Sequence, residues 1–141
     1  MLLVFVFNSA VIAIAVLIHY QVLYQISRMM PHLPVRHRFR ILFGVFGALG
    51  AHVIEVWIFG FSFFVMIHYL DWGYIAGNAT GTLMDCVYLS FTTFSTLGYG
   101  DVEPIGDIRY LTGLESLTGL VLITWTASFL YFEMQRYWDS P

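Results

Sequence analysis

Long apolar stretches separated by short polar ones set the pattern of this chain. Leu2 to Tyr24 is interrupted only by Asn8, Ser9, His19 and Gln21, and apolar stretches of comparable length run Ile41 to Leu70 and Ile108 to Tyr131. A helix needs ~20 such residues to cross a bilayer, so each stretch predicts a transmembrane helix. Between the second and third lies a shorter apolar run, Leu83 to Phe94, opened by Thr82 with Asp85 three residues on. That spacing is a capping-box-like start and predicts a short helix over 82–95. Pro31 and Pro34 break the chain before the second long helix. Asp71 to Gly81 reads as a loop, with Trp72 and Tyr74 at the interface level where aromatics anchor. Pro104 and Gly106 turn the chain into the last helix.

Composition sharpens this picture. Of 141 residues, 59% are hydrophobic and 11% charged, against roughly 25% charged in an average soluble domain, so an integral membrane protein is expected. The charge of -3 says less than the placement of the arginines. Arg28, Arg36, Arg38 and Arg40 crowd the segment between the first two helices, and Arg136 follows the last. By the positive-inside rule both regions face the cytoplasm, which puts the N-terminus outside and the C-terminus inside, in a membrane expected to be the plasma (inner) membrane. A cleaved signal peptide fits poorly, because no basic segment precedes the first apolar stretch. Arg36, Arg38 and Arg40 could also contact anionic lipid, at ~1 kcal/mol each. The single cysteine, Cys86, excludes an intrachain disulfide and reads as a small buried residue. With no basic stripe on a soluble face, nucleic acid is not an expected partner. No nucleophile–base pair or metal-ligand motif supports an enzyme.

The chemistry concentrates in Thr96-Leu97-Gly98-Tyr99-Gly100-Asp101, directly after the short helix. Glycines at alternate positions let successive carbonyls face one way and offer a column of oxygen ligands to a dehydrated ion. Irregular backbone at membrane depth survives only when buried in protein or lining an aqueous path. These residues resemble the potassium-channel selectivity filter, usually Thr-Val-Gly-Tyr-Gly-Asp, and Ser90 to Ser95 resembles the end of that family's pore helix. The resemblance spans roughly Ile41 to Tyr137 and departs at Leu97, whose bulkier side chain must pack behind the filter.

The resemblance implies an all-α membrane fold of three transmembrane helices with a re-entrant pore helix and filter loop, assembled as a homotetrameric pore. Residues 1–27 would be an extra transmembrane helix and 28–40 a basic cytoplasmic loop. The pore module would span 41–137, with outer helix 41–70, pore helix 82–95, filter 96–101 and inner helix 108–132, before a short tail at 138–141. Thr96, Leu97, Gly98 and Tyr99 would supply oxygen ligands to permeant potassium, with Gly100 shaping the entrance, and no organic cofactor is implied. Asp101, Glu103 and Asp107 would ring the outer mouth. Tyr88 stands near the filter tyrosine, Tyr99, as a hydrogen-bond partner for it or for a neighbouring subunit. Gly119 lies near the family's hinge glycine, with packing contact as the alternative; Gly113 reads as packing.

Other polar residues in the long helices call for partners. His52 and Glu55 stand on one face near mid-membrane, where an ionisable group is expensive. They read as a polar clamp between helices, with His19 among the candidate partners. A proton-sensitive gate and a metal site using His19, His52 and Glu55 are the competing readings. Glu115 would brace the filter through Thr92 or Thr93, with facing the permeation path as the alternative, and Thr118, Thr124 and Thr126 would bond their own helix. No helix carries arginine at every third position, so a voltage sensor is not expected, and no folded segment is expected after Tyr137. A nonselective cation channel and a metal-binding regulatory membrane protein are the alternatives to potassium permeation.

Overall fold

A computed structural model of the chain describes residues 1–34 and 36–138, without the side chains of His37, Arg38, Tyr137 and Trp138. The expected lipid contact at Arg38, and residues 139–141 of the expected tail, lie outside the described residues. Helix α1 runs Leu2–Met29 and leads through a 3-10 turn, Met30–His32, to Pro34. Helix α2 runs His37–His68 and so begins within the basic segment rather than after it. The short helix α3 is Leu83–Phe94, and α4 is Ile108–Trp138. Helices α1, α2 and α4 are long and apolar enough to cross a membrane, whereas α3 is shorter. The protein is therefore a mostly helical membrane protein with three spanning helices and a short fourth among them.

One element was invisible to the apolar pattern. Strands β1 (Gly73–Gly77) and β2 (Val102–Gly106) pair antiparallel, with Gly73 opposite Gly106 and Gly77 opposite Val102. The pair joins the chain entering α3 to the chain leaving the segment after it. The start of α1 sits at the same end: Phe7 meets Trp72 edge-on at 5.7 Å. At the opposite end Ser27 donates to Glu133 across 3.0 Å, and Arg40 donates to the Leu33 carbonyl at 3.1 Å.

In lipid, helices gain little from burying apolar surface against one another, so close packing and polar contacts must hold them. The main core joins Phe59, Phe63 and Met66 of α2 to Cys86 and Leu89 of α3 and Leu111 and Leu122 of α4. Two glycines set how closely α3 is gripped. A Cβ at Gly60 would lie 2.8 Å from the Val87 backbone, and one at Gly119 would overlap the Phe94 carbonyl oxygen. Gly119 is thus a close-contact glycine against the end of α3, where the sequence also offered a gate hinge. Gly113, expected to pack, faces open space within the chain.

Candidate functional site: a filter strand and a buried polar junction

Helix α3 leads into the Thr96–Asp101 strand, the expected filter, and its start is fixed by hydrogen bonds. Thr82 Oγ1 accepts from the Asp85 amide at 3.2 Å, while Asp85 Oδ2 accepts from the amides of Thr82 at 3.0 Å and Thr80 at 2.9 Å. The Thr82 N–H foremost holds the Asp85 carboxyl below the usual carboxylate range. One residue on, burial pushes the Cys86 thiol up to about 11, and the neighbouring Asp85 charge adds to it, which keeps that thiol inert.

At the other end, the amides of Leu97 and Gly98 both donate to the Thr92 carbonyl, at 2.9 and 3.1 Å. Backbone φ is positive at alternate residues, 57° at Thr96, 49° at Gly98 and 79° at Gly100. Glycine adopts that region freely, whereas at Thr96 it costs about 1 kcal/mol. The whole stretch from Ser95 to Asp101 is exposed within one chain. Leu97 is 57% and Tyr99 69% exposed, so Leu97 does not pack behind the strand using its own chain, as expected of it. An open groove of about 410 Å³ lies between this strand and Thr112 and Ser116 of α4.

Asp101 closes the strand and is anchored twice. Its carbonyl accepts from the Asn78 amide at 2.8 Å, and its carboxylate accepts from the Tyr88 hydroxyl at 2.8 Å. Within the chain Tyr88 therefore partners Asp101 rather than Tyr99, and that carboxylate raises the phenol above its ordinary value. Glu103 is exposed on β2 opposite Ala76. Asp107 shares a hollow with Met1, Val4, Phe5 and Tyr110, at the start of α1 rather than beside the strand.

Behind the strand, Glu115 does brace α3, but through a residue the sequence did not single out. Glu115 Oε1 bonds Ser90 Oγ, and Ser90 Oγ also reaches the Val56 carbonyl at 2.9 Å, so one hydroxyl ties α2, α3 and α4. Thr92 bonds the Leu89 carbonyl of its own helix at 3.0 Å, and the Thr93 carbonyl accepts from Ser116 at 3.3 Å. The available signal was a serine hydroxyl in the middle of an apolar helix.

A second polar cluster lies below the end of α3. Glu55, fully buried, has His19 Nδ1 at 2.8 Å from one carboxylate oxygen and His52 Nδ1 at 2.9 Å from the other. On the far side of both rings stands Thr126 Oγ1, 3.0 Å from His52 Nε2 and 3.4 Å from His19 Nε2. Thr118 and Thr124 bond their own helix, at 2.7 and 2.9 Å, but Thr126 bonds these histidines instead. The cluster thus clamps α1, α2 and α4 together. One ligand-type atom from each of His19, His52 and Glu55 lies within 4.8 Å of the others. These atoms already bond one another, so a metal ion would have to displace that pairing.

A protein-family model described as an ion channel matches residues 51–135, more than half of the chain. The chain belongs to this ion channel family. The match takes in the Thr96–Asp101 strand, α3, most of α4 and the second half of α2. The channel is 36% identical over 61 residues to Protein LctB of Geobacillus stearothermophilus, covering 43% of this chain and 46% of that protein. It is also 36% identical over 70 residues to the inward rectifier potassium channel Kirbac3.1 of Paramagnetospirillum magnetotacticum, covering 48% of this chain and 24% of that protein. The matched stretches thus span less than half the length of either relative. No solved structure matches the chain.

Proposed function

We propose that the protein is a potassium-selective channel whose pore is completed by four copies of the chain. The observation that carries this is the Thr96–Asp101 strand. It is held at both ends by hydrogen bonds to α3 and the outer loop, yet exposed along its length within one chain. A strand so fixed and so bare fits a site finished by neighbouring copies, because one strand cannot surround an ion. Thr96, Leu97, Gly98 and Tyr99 supply the oxygen ligands that replace the hydration shell of potassium, and Gly100 shapes the outer entrance. Asp101 and Glu103 draw cations to the mouth. The C-terminal end of α3 contributes its partial negative charge beneath the strand. The similarity to a protein named as a potassium channel supports the same reading. The basic end, with Arg36 and Arg40, meets anionic lipid on the cytoplasmic side of the plasma (inner) membrane.

The test is rubidium uptake into liposomes carrying the purified protein. Uptake driven by internal potassium, absent with internal sodium and blocked by barium, is the expected result. Equal uptake with either internal ion would overturn potassium selectivity.

A further inference from the structure

The buried cluster below α3 can be counted hydrogen by hydrogen. Its four side chains form a closed ring of contacts. The ring passes from His19 Nδ1 to Glu55 Oε1 (2.8 Å), from Glu55 Oε2 to His52 Nδ1 (2.9 Å), from His52 Nε2 to Thr126 Oγ1 (3.0 Å), and back to His19 Nε2 (3.4 Å). Each contact is attractive only if it holds one hydrogen. Two neutral imidazoles bring one N–H each and Thr126 brings one O–H. With Glu55 ionised, that is three hydrogens for four contacts. One contact is then left with two lone pairs facing each other, and a full negative charge is buried among apolar helices, at high cost.

One further proton repairs both defects at once. It fills the empty contact and cancels the Glu55 charge, whether it resides on an imidazole or on the carboxyl. A divalent metal ion on the same groups would instead leave a net charge of +1 and would displace hydrogens already bonded. We propose that His19, Glu55, His52 and Thr126 form a binding site for a single proton, whose presence fastens α1 and α4 to α2 beneath the filter strand. His52 is the side open to exchange, with 16% of its side chain exposed against none for His19 and Glu55.

The surroundings connect this site to the pore. The His52 ring lies 5.7 Å from that of Phe94, the last residue of α3, against whose carbonyl Gly119 packs. From α4, Trp125 covers His19 at 5.3 Å, and Tyr20 of α1 lies beyond it, its ring tilted and 6.4 Å from that of Trp125. The nearest acid along α4 is Glu133, seven residues after Thr126 and ~10 Å along the helix, where it accepts from Ser27; Glu115 is eleven residues before Thr126, ~16 Å away. When the proton leaves, the junction loses a hydrogen bond and gains a charge, and the end of α3 loses its backing. The hydrogen count holds whichever ion the pore selects.

Glu55→Gln separates this proposal from a merely structural clamp. A glutamine places an NH2 group and a carbonyl oxygen where the carboxylate oxygens stood, and one of its two N–H bonds enters the ring. The ring then holds four hydrogens, no net charge and no need of an added proton. The test is thermal unfolding of the purified full chain in detergent at pH 6 and pH 9. Wild type is expected to lose several degrees in melting temperature at pH 9. Glu55→Gln should match wild type at pH 6 and lose little at pH 9, while Glu55→Ala should be low at both. Thr126→Val, which removes both Nε2 contacts, should also be low at both. An alkaline fall in Glu55→Gln equal to that of wild type would overturn the proposal. So would a Glu55→Gln melting temperature at pH 6 as low as that of Glu55→Ala, an unchanged Thr126→Val profile, or one zinc per chain retained by wild type and lost in Glu55→Gln.

Discussion

The Thr96–Asp101 strand, proposed as the filter, and the buried junction lie on opposite sides of Phe94 and solve opposite problems. At the junction, the polar atoms of His19, His52, Glu55 and Thr126 find partners inside the chain. Along the strand, Ser95 to Asp101 stay exposed, although their ends are tied at Thr92, Tyr88 and Asn78. Both are irregular chemistry in an apolar setting, where unpaired polar groups are expensive. The junction is complete in one chain. The strand commits its Thr96, Leu97 and Gly98 amides to the end of α3 and still leaves its surface exposed, which suits a site for a passing ion.

The largest effect that would break this contrast is at Gly98. Its φ of 49° suits glycine, and no neighbouring atom within 4 Å would meet an added Cβ. Gly98→Ala should therefore leave insertion and helix packing intact while removing barium-sensitive rubidium uptake, read against protein yield in the membrane. Unchanged uptake would mean that the strand does not carry the ion.

Next in size is Gly119→Ala, where the new methyl would overlap the Phe94 carbonyl oxygen. Overpacking of this kind costs about 1–3 kcal/mol, so a fall in melting temperature is expected together with reduced uptake. A gate hinge would instead lose opening with stability unchanged, and thermal unfolding beside flux distinguishes the two.

Glu115→Ala sharpens the contrast from behind the strand. It leaves the Ser90 hydroxyl with the Val56 carbonyl alone and opens a cavity, for an expected loss of about 2 kcal/mol. Glu115→Gln, which keeps a hydrogen-bonding group there, should lose less than half of that. Equal losses in thermal unfolding would show that the Ser90 contact contributes little.

The smallest effect belongs to the start of α3. The Asp85 carboxyl is held below its ordinary value by the Thr82 and Thr80 donors. Its contribution is therefore present above the unfolded carboxylate range and is lost as pH falls through the depressed value. Asp85→Asn should cost less than about 1 kcal/mol near neutral pH. The difference from wild type should vanish in acid, as measured by melting temperature against pH.

What was legible beforehand follows the range of the interactions involved. Apolar length announced the three spanning helices, and Thr82 with Asp85 announced α3, because those signals lie within a few residues of one another. The six residues from Thr96 to Asp101 carried the family resemblance by themselves. The β1–β2 pairing was not legible, since its strands are short, rich in glycine and separated by the whole of α3. Ser90 stayed hidden because Thr92 and Thr93 sit nearer the strand. Thr126 looked like any threonine bonding its own helix, and its partners His52 and His19 are 74 and 107 positions away. Sequence spacing could pair His52 with Glu55, but only the crossing of three helices brings the other two members to them.

The most direct measurement is the reversal potential of the purified protein in planar bilayers under opposed potassium and sodium gradients. A value near the potassium equilibrium potential is the expected result. A clear current reversing near zero would contradict potassium selection by the Thr96–Asp101 strand.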